Sequence, residues 1–470
     1  MDNPVDKYIQ EELYRDQIAT VDKTGKRVWL YPKKPKGRFY QYRKYVSYVL
    51  LLVLFGTPFI KYDGQPFMLF NIPEGKFILF GVYFAPQDFH LFVIAMLIFM
   101  VFIALFTVVY GRLFCGWVCP QTIFMEMVFR RIEYWIEGDA NAQRRLAIAP
   151  WTTSKYVKKV GKQLIFILIS AIIAHTFLSY IIGLDEVLKI VTEPISQHWG
   201  GFIAMICFTG AFYGVFSVMR EQVCTTICPY GRMQGVLLDE NSLNVAYDFV
   251  RGEPRGRLSK ATPDKTKGDC IDCGLCVQVC PTGIDIRNGT QLECINCTAC
   301  MDACDEVMVK IKKPEGLIRI DSYKGITDKK HSLINTRAAS YTLVLVALLG
   351  LESFLFVSRS SVETLFLRTP GMLYQEKEDG RISNLYNYQL INKTDLEAEL
   401  RFVCDDLPGI TFEVIGNNPA TQKNKVTEGA VFIVIPADQL SGRKTDLTIK
   451  VYNGDELIDE SETTFLGPVK

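Results

Sequence analysis

The sequence predicts a multi-domain membrane protein: an α-helical membrane domain of about five spans, a cysteine-rich α+β module inserted before the last span, and an all-β C-terminal domain. Three features carry that prediction. The apolar residues come in blocks of membrane-spanning length, eight cysteines crowd between Cys270 and Cys304, and residues 372–470 break into short β-branched runs.

The candidate spans are 45–60, Phe89–Tyr110, 164–184, 202–219 and 341–357. A bilayer core needs about 20 apolar residues, with a range of roughly 17–25. The block 45–60 is therefore short and must borrow flanking residues. The apolar stretch 67–85 is broken by Pro73, Glu74 and Gly75, and it reads as an interfacial or re-entrant piece.

Charge orders these spans across the bilayer. Segment 1–44 holds eleven Lys/Arg and segment 111–163 holds nine, whereas 61–88 holds only Lys61 and Lys76 and 185–201 only Lys189. Basic loops face the cytoplasm, so an even number of crossings separates the two basic segments. That parity supports two spans before Tyr110. Five spans with the N-terminus inside then place the C-terminus outside. The polar N-terminal segment lacks the apolar core and small-residue cleavage site of a signal peptide.

In the tail, runs such as "YNYQLIN", "ITFEVIG", "AVFIVIPA" and "LTIKVYNG" are separated by turn-formers such as "KEDG", "GNNPA" and "NGDE". About seven short strands at this spacing suggest an immunoglobulin-like β-sandwich. Cys404 finds no partner there for an intradomain disulfide, and a sandwich on a membrane anchor reads as a docking or spacing module.

At 470 residues the chain has room for two to four modules. Its formal charge of +1 gives no reason to expect nucleic acid as a partner. Twelve of the fourteen cysteines fall into spaced sets, and only Cys207 and Cys404 stand apart. The sets lie beside spans and basic segments, where a reducing cytosol is expected, so metal ligation reads better than a disulfide scaffold.

The strongest pattern is "CIDCGLCVQVCP" followed by "CINCTACMDAC". Cys270, Cys273 and Cys276 are spaced two apart, and Cys280 follows before Pro281; Cys294, Cys297, Cys300 and Cys304 repeat the pattern. Zinc sites favour C-x2-C pairs over such triplets. Residues 268–310 resemble a bacterial dicluster ferredoxin, in which the fourth cysteine of each run ligates the other cluster. The resemblance implies two [4Fe–4S] clusters, one on Cys270, Cys273, Cys276 and Cys304, the other on Cys294, Cys297, Cys300 and Cys280. One departure is Asp305 after Cys304, where the pattern usually has proline.

A second pattern is an internal repeat. "GRLFCGWVCPQTIFMEM" follows the second span and "REQVCTTICPYGRMQ" follows the fourth, giving C-x3-C-P at Cys115/Cys119–Pro120 and Cys224/Cys228–Pro229. Proline suits the first turn of a helix, so Cys119 and Cys228 should cap new helices. The positive end of such a helix favours a thiolate. The pairs can converge into a four-sulfur set at the membrane–cytosol boundary, whose soft ligands suit Cu(I) or another iron–sulfur centre. His90, His175 and His198 fall in the outer half of the membrane, away from these cysteines, and read as packing residues. Glu352 in the last span should face protein or water.

Spans, twin C-x3-C-P motifs, dicluster module and sandwich tail, in that order, resemble the FixG/CcoG (RdxA-like) family over essentially the whole chain. These are accessory proteins for assembly of cbb3-type cytochrome c oxidase. The resemblance implies a multi-pass protein of the bacterial inner membrane, with the ferredoxin module cytoplasmic and the C-terminal domain periplasmic. It further implies a cupric reductase that takes electrons from an unidentified cytosolic donor and works beside a copper transporter or chaperone and the oxidase assembly machinery. Cys115, Cys119, Cys224 and Cys228 would then be the catalytic, copper-binding residues.

Domain limits on this reading are 1–44 cytoplasmic segment, 45–238 membrane domain, 239–267 linker, 268–310 ferredoxin module, 311–340 linker, 341–357 fifth span and 372–470 sandwich. Two rivals are a quinol-oxidising electron-transfer subunit for a periplasmic reductase and a non-catalytic assembly scaffold.

Overall fold

The computed structural model describes residues 20–21, 24, 26–62, 64–72, 75–84, 88–257, 267–329, 335–359, 362–369, 371, 373–378, 380–393, 397–416, 418–421, 426–440 and 442–468. Most of the first half of segment 1–44, Pro73 and Glu74 of the 67–85 stretch, and parts of both expected linkers (258–266 and 330–334) lie outside the described residues. The chain divides into two units, Met1–Phe59 with Met96–Leu349, and Ile60–Ala95 with Gly350–Lys470.

The principal helices are α1 (Arg38–Gly56), α2 (Phe89–Tyr110), α3 (Thr153–Ile182), α4 (Trp199–Tyr213, prolonged by a π-helical turn Gly214–Met219), α5 (Ala299–Lys310) and α6 (Thr336–Val357). Among the described residues four helices are long and apolar enough to cross a membrane: Phe89–Tyr110, Thr153–Ile182, Trp199–Met219 and Thr336–Val357. α1 holds the expected short block but opens with a basic turn, and it is not among those four. α3 starts at Thr153 rather than 164 because Thr152 caps it, its hydroxyl accepting from the Lys155 N–H at 3.3 Å.

In the first unit Phe124, Phe129, Phe166, Ile173 and Phe216 form an apolar core with Leu51, Leu54 and Phe55 of α1. Beside it runs a buried ion-pair network: Arg130–Glu126 at 2.8 Å, Arg220–Glu133 at 2.6 Å and Lys162–Glu137 at 3.0 Å. Charges this deep are tolerated only when paired.

The ferredoxin module is larger than 268–310. Strands Asn244–Tyr247 and Ile318–Asp321 pair antiparallel, with Val245 opposite Ile320 and Tyr247 opposite Ile318. Both fall in segments expected to be linkers. Their apolar faces (Val245, Tyr247, Leu317, Ile318) pack on Cys270 and Cys276, so the flanks close the module's core. The module also grips α1. Gly37, at φ 138, turns the chain so that the Phe39 and Tyr40 N–H groups donate to the Asp302 carboxylate at 3.1 and 2.8 Å. A Cβ on Gly37 would collide with that carboxylate.

The second unit is a β-sandwich. Its strands are β1 (Val362–Arg368), β2 (Arg381–Asn392), β3 (Arg401–Val403), β4 (Thr411–Ile415), β5 (Val426–Pro436), β6 (Lys444–Asn453) and β7 (Glu456–Leu466). One sheet runs β4–β5–β2–β1, with the short strand Gln375–Glu376 also paired to β2, and the other runs β3–β6–β7. Alternate residues point inward, as in Leu447, Ile449 and Val451 of β6, and meet Tyr386, Tyr388 and Leu390 of β2. Stretch 67–85 is no re-entrant piece: Met68–Asn71, Lys76–Leu79 and Val82–Phe84 form an antiparallel sheet whose Leu69, Ile78 and Tyr83 pack against Ile391. Alternation of apolar residues across tight turns, rather than length, decides that outcome.

Losing the Asp302 cap should be costly. Asp302→Ala is expected to destabilise by about 1–2 kcal/mol, read as a lower Tm of the purified protein, with Asp302→Asn intermediate. An unchanged Tm in the Ala variant would show that the cap does not hold the module to α1.

Candidate metal centres

The two cysteine triplets fold alike. Each wraps its middle cysteine between two left-handed residues: Asp272 (φ 53) and Gly274 (φ 66) flank Cys273, and Asn296 (φ 51) and Thr298 (φ 64) flank Cys297. Left-handed backbone is unfavourable for a β-branched threonine, and such strain collects at functional sites. A short helix follows each loop, Leu275–Gln278 after the first and α5 after the second.

The triplets surround two cavities. Cys270, Cys273, Cys276 and Cys304 line one, walled by Tyr247, Leu275, Met308 and Leu317. Cys280, Cys294, Cys297 and Cys300 line the other, walled by Val245, Ile284, Ile286 and Ile295. Cys276 lines both. The fourth cysteine of each run thus lies with the other triplet. Among the described residues no three His, Cys, Asp or Glu side chains converge closely enough to hold one metal ion. Four thiols spaced around one cavity suit a cluster, each sulfur taking a separate iron.

Burial pushes the thiols of Cys276, Cys294 and Cys304 up to about 12 and that of Cys297 to about 11. Ligation needs the thiolate, so a cationic iron core is what makes the ionised form favourable here. Where proline is usual after the fourth cysteine, Asp305 continues α5; its carboxylate accepts from the Gly316 N–H at 2.8 Å and from Arg38 at 3.4 Å.

The twin C-x3-C-P motifs also share one geometry. Cys115 lies on the helical turn Leu113–Trp117 and Cys224 on the π-helical turn Val223–Ile227. The Cys119 N–H donates to the Phe114 carbonyl at 3.0 Å, and the Cys228 N–H to the Val223 carbonyl at 2.8 Å, each five residues back. Cys119 and Cys228 are extended, and Pro120 and Pro229 open the next helices. The four thiols lie within electrostatic reach of one another. Burial pushes Cys115 up to about 11 and Cys224 to about 12. At Cys119, where the helix end is expected to favour the thiolate, burial likewise pushes the thiol up, outweighing the Gln121 and Thr122 N–H groups that favour the ionised form.

This set abuts the ferredoxin module. Cys115 is buried in one apolar cluster with Val279, Ile295, Cys297 and Ala299, against which Cys224 and Cys300 also pack. Contact is close enough that a Cβ on Gly116 would strike the Ile295 carbonyl. The Cys115 thiol donates to the Gln234 amide oxygen at 3.2 Å, which also accepts from the Arg112 Nε–H at 2.9 Å.

The chain is 32% identical over 464 residues to "Nitrogen fixation protein FixG" of Rhizobium meliloti, covering 87% of each chain. It is 33% identical to "Protein RdxB" of Cereibacter sphaeroides (86% of this chain, 90% of the relative) and 32% identical to that organism's "Protein RdxA" (90% and 93%). It belongs to the FixG/RdxA family. Models of a 4Fe-4S dicluster domain match residues 219–323, of a 4Fe-4S binding domain 92–139, and of the IG-like fold at the C-terminal of FixG 353–468. As a member of that family the chain is a membrane-bound iron–sulfur protein of the electron-transferring, oxidoreductase type.

Other residues singled out in the sequence make local contacts of their own. The His175 ring bonds the Ala171 carbonyl at 2.5 Å and His198 bonds Glu193 at 2.5 Å. Glu352 lines an aromatic cavity of about 680 Å³ in the second unit, with Phe70, Phe77 and Phe84. Cys404 sits 3.7 Å from Asp406. The sequence reading missed Arg43, Arg112 and Gln234. It counts both arginines among the topology-setting charges, and nothing in their spacing marks them as buried; Gln234 carries no signal at all.

Because Cys276 lines both cavities, it should behave unlike its neighbours. Cys273→Ser is expected to remove one cluster's iron and leave the other's low-temperature EPR signal intact. Cys276→Ser should remove one cluster and also alter the signal of the remaining one. Identical spectra for the two variants would show that Cys276 serves a single cluster.

Proposed function

We propose that this protein is a membrane-bound one-electron relay ending on copper: reduction of Cu(II) to Cu(I) at Cys115, Cys119, Cys224 and Cys228, in service of cbb3-type oxidase assembly. The observation that carries the reading is the continuity of sulfur. Cys276 joins the two cavities, and Cys115 and Cys224 pack in the same apolar cluster as Cys297 and Cys300. The two [4Fe–4S] clusters, held by Cys270, Cys273, Cys276 and Cys304 and by Cys280, Cys294, Cys297 and Cys300, supply single-electron transfer when bound. Exposed Cys273 marks the side where a cytosolic donor would approach. One electron delivered to a thiolate-bound Cu(II) gives Cu(I), the state soft sulfur ligands favour.

On this reading α1 counts as a fifth, short span. The basic loops then keep the ferredoxin module in the cytoplasm of a bacterium and the sandwich in the periplasm. A copper transporter or chaperone would exchange the ion. A second reading has a specific observation behind it: the match of a 4Fe-4S binding domain to residues 92–139, which include Cys115 and Cys119. The twin set would then hold a further iron–sulfur centre, and copper would take its electron from that centre.

Serine at any one of the four twin cysteines is expected to abolish Cu(I) formation by chemically reduced, anaerobic protein, followed with a chromophoric chelator. Iron in the ferredoxin module should be retained. One substitution from each pair should cost little more than either alone, since residues of a shared site fail together. Undiminished copper reduction in the quadruple variant would remove the twin set from the reaction. Iron above eight per chain, lost in that variant, would favour the second reading.

Topology is tested separately. Reporter fusions after residue 310 and after residue 470 should report opposite compartments, and the same compartment for both would refute five spans.

A further inference from the structure

Among the described residues, two arginines sit without acidic partners where the second cysteine cavity meets the twin cysteines. Arg43, on α1, is 3% exposed; its Nε–H donates to the Gly116 carbonyl at 2.6 Å, and one of its terminal nitrogens has no partner. Arg112, between α2 and Cys115, is 2% exposed; its Nε–H bonds Gln234, and its Nη1 is likewise unpartnered. Arg43 lies within electrostatic reach of Cys297, and Arg112 of both Cys294 and Cys115. Glu126 also reaches Cys297, but it is paired with Arg130 at 2.8 Å.

The first cavity is arranged differently. Its arginine, Arg287, is bound by Asp285 at 2.7 Å and Asp272 at 2.5 Å, and Asp305 lies beside Cys304. One cavity therefore faces an arginine neutralised by two aspartates and a carboxylate shared with the exposed Arg38, the other two buried guanidinium groups with no carboxylate bonded to them among the described residues. A buried cation without a counter-ion is expensive, and an arginine does not escape by losing its proton. A cluster bearing four thiolates is the anion that such charges can answer.

We propose that Arg43 and Arg112 are positioning charges that set the direction of electron flow, raising the reduction potential of the cluster on Cys280, Cys294, Cys297 and Cys300 above that of the cluster on Cys270, Cys273, Cys276 and Cys304. The proposal rests on the iron–sulfur reading above. Adding an electron makes a cluster more negative, and a nearby buried positive charge favours that reduced state more strongly at low dielectric. The electron thus settles at the cavity next to Cys115 and Cys224 rather than at the exposed end.

The test is an EPR-monitored redox titration of purified, membrane-reconstituted protein. Cys273→Ser assigns the potentials, because the cluster that survives is the second. In the otherwise unaltered protein the second cluster should titrate at the higher potential; the reverse order overturns the proposal whatever the variants do. Arg43→Gln and Arg112→Gln should each lower the second potential, cutting its reduced-to-oxidised ratio at fixed potential at least tenfold, or 59 mV for one electron. The first potential should stay in place. The charge-retaining Arg43→Lys and Arg112→Lys should shift it far less, which separates charge from packing. Equal movement of both clusters, or of Lys and Gln variants alike, overturns the inference. Protein without iron or cubane signals sinks the underlying reading itself, whereas iron with the wrong potential order sinks only this step.

Discussion

The burial of thiols in a medium that disfavours their ionised form is the constraint on which the structure depends. Each ferredoxin cysteine needs its thiolate to hold iron, yet the walls around it are valine, isoleucine, leucine and methionine. An apolar wall keeps water from the cluster and simultaneously raises the cost of charge. Iron in the cavities would answer that cost, and fixed positive charge lies just outside one of them. This is why the module cannot be a free-standing 268–310 segment. It needs Val245, Tyr247, Leu317 and Ile318 to close one side, and α1 with Arg43 to close another.

Duplication is the second organising fact. The two triplets repeat a left-handed, cysteine, left-handed turn, and the two C-x3-C-P motifs repeat a hydrogen bond from the second cysteine to the carbonyl five residues back. That wider turn is a π-type geometry, which is rare and concentrates at functional sites. In both arms it closes the turn on the residue before the proline that starts the next helix. The ion pairs from Glu126, Glu133, Arg130 and Arg220 tie the two arms together behind the sulfurs. Neither arm could be displaced without uncovering a buried charge.

Much of this was legible in residue spacing because the chemistry is local. Three thiols two apart, a proline after a cysteine, and a block of apolar residues each state their geometry within one or two turns of chain. What stayed illegible depends on partners distant in sequence. Asn244–Tyr247 finds Ile318–Asp321 across the whole module, so neither flank reads as a strand alone. Stretch 67–85 looks apolar enough for the membrane edge, but its side chains alternate toward Ile391 of the sandwich. Cys119 promised a stabilised thiolate from its helix end, whereas burial, a tertiary property, dominates. Arg43 and Arg112 count on paper as loop charges, and only packing shows them dry.

That last distinction bears on how a charge works in this protein. The rule that basic residues lie on the cytoplasmic side describes where arginines stop during insertion. It does not say whether they end in water. An arginine left in solvent is screened within about a Debye length, roughly 8 Å at physiological salt. The same group under 5% exposed, with no carboxylate bonded to it among the described residues, acts on its neighbours with far less screening. Both Arg43 and Arg112 meet that condition at the junction between the ferredoxin module and the motif helices. Arg287 at the far cavity, held by two aspartates, does not. One pair of topology-setting residues can thus serve twice: first to hold the basic side of the membrane domain, and then, once the module has folded down onto α1, to make one end of the sulfur path the favoured place for an electron.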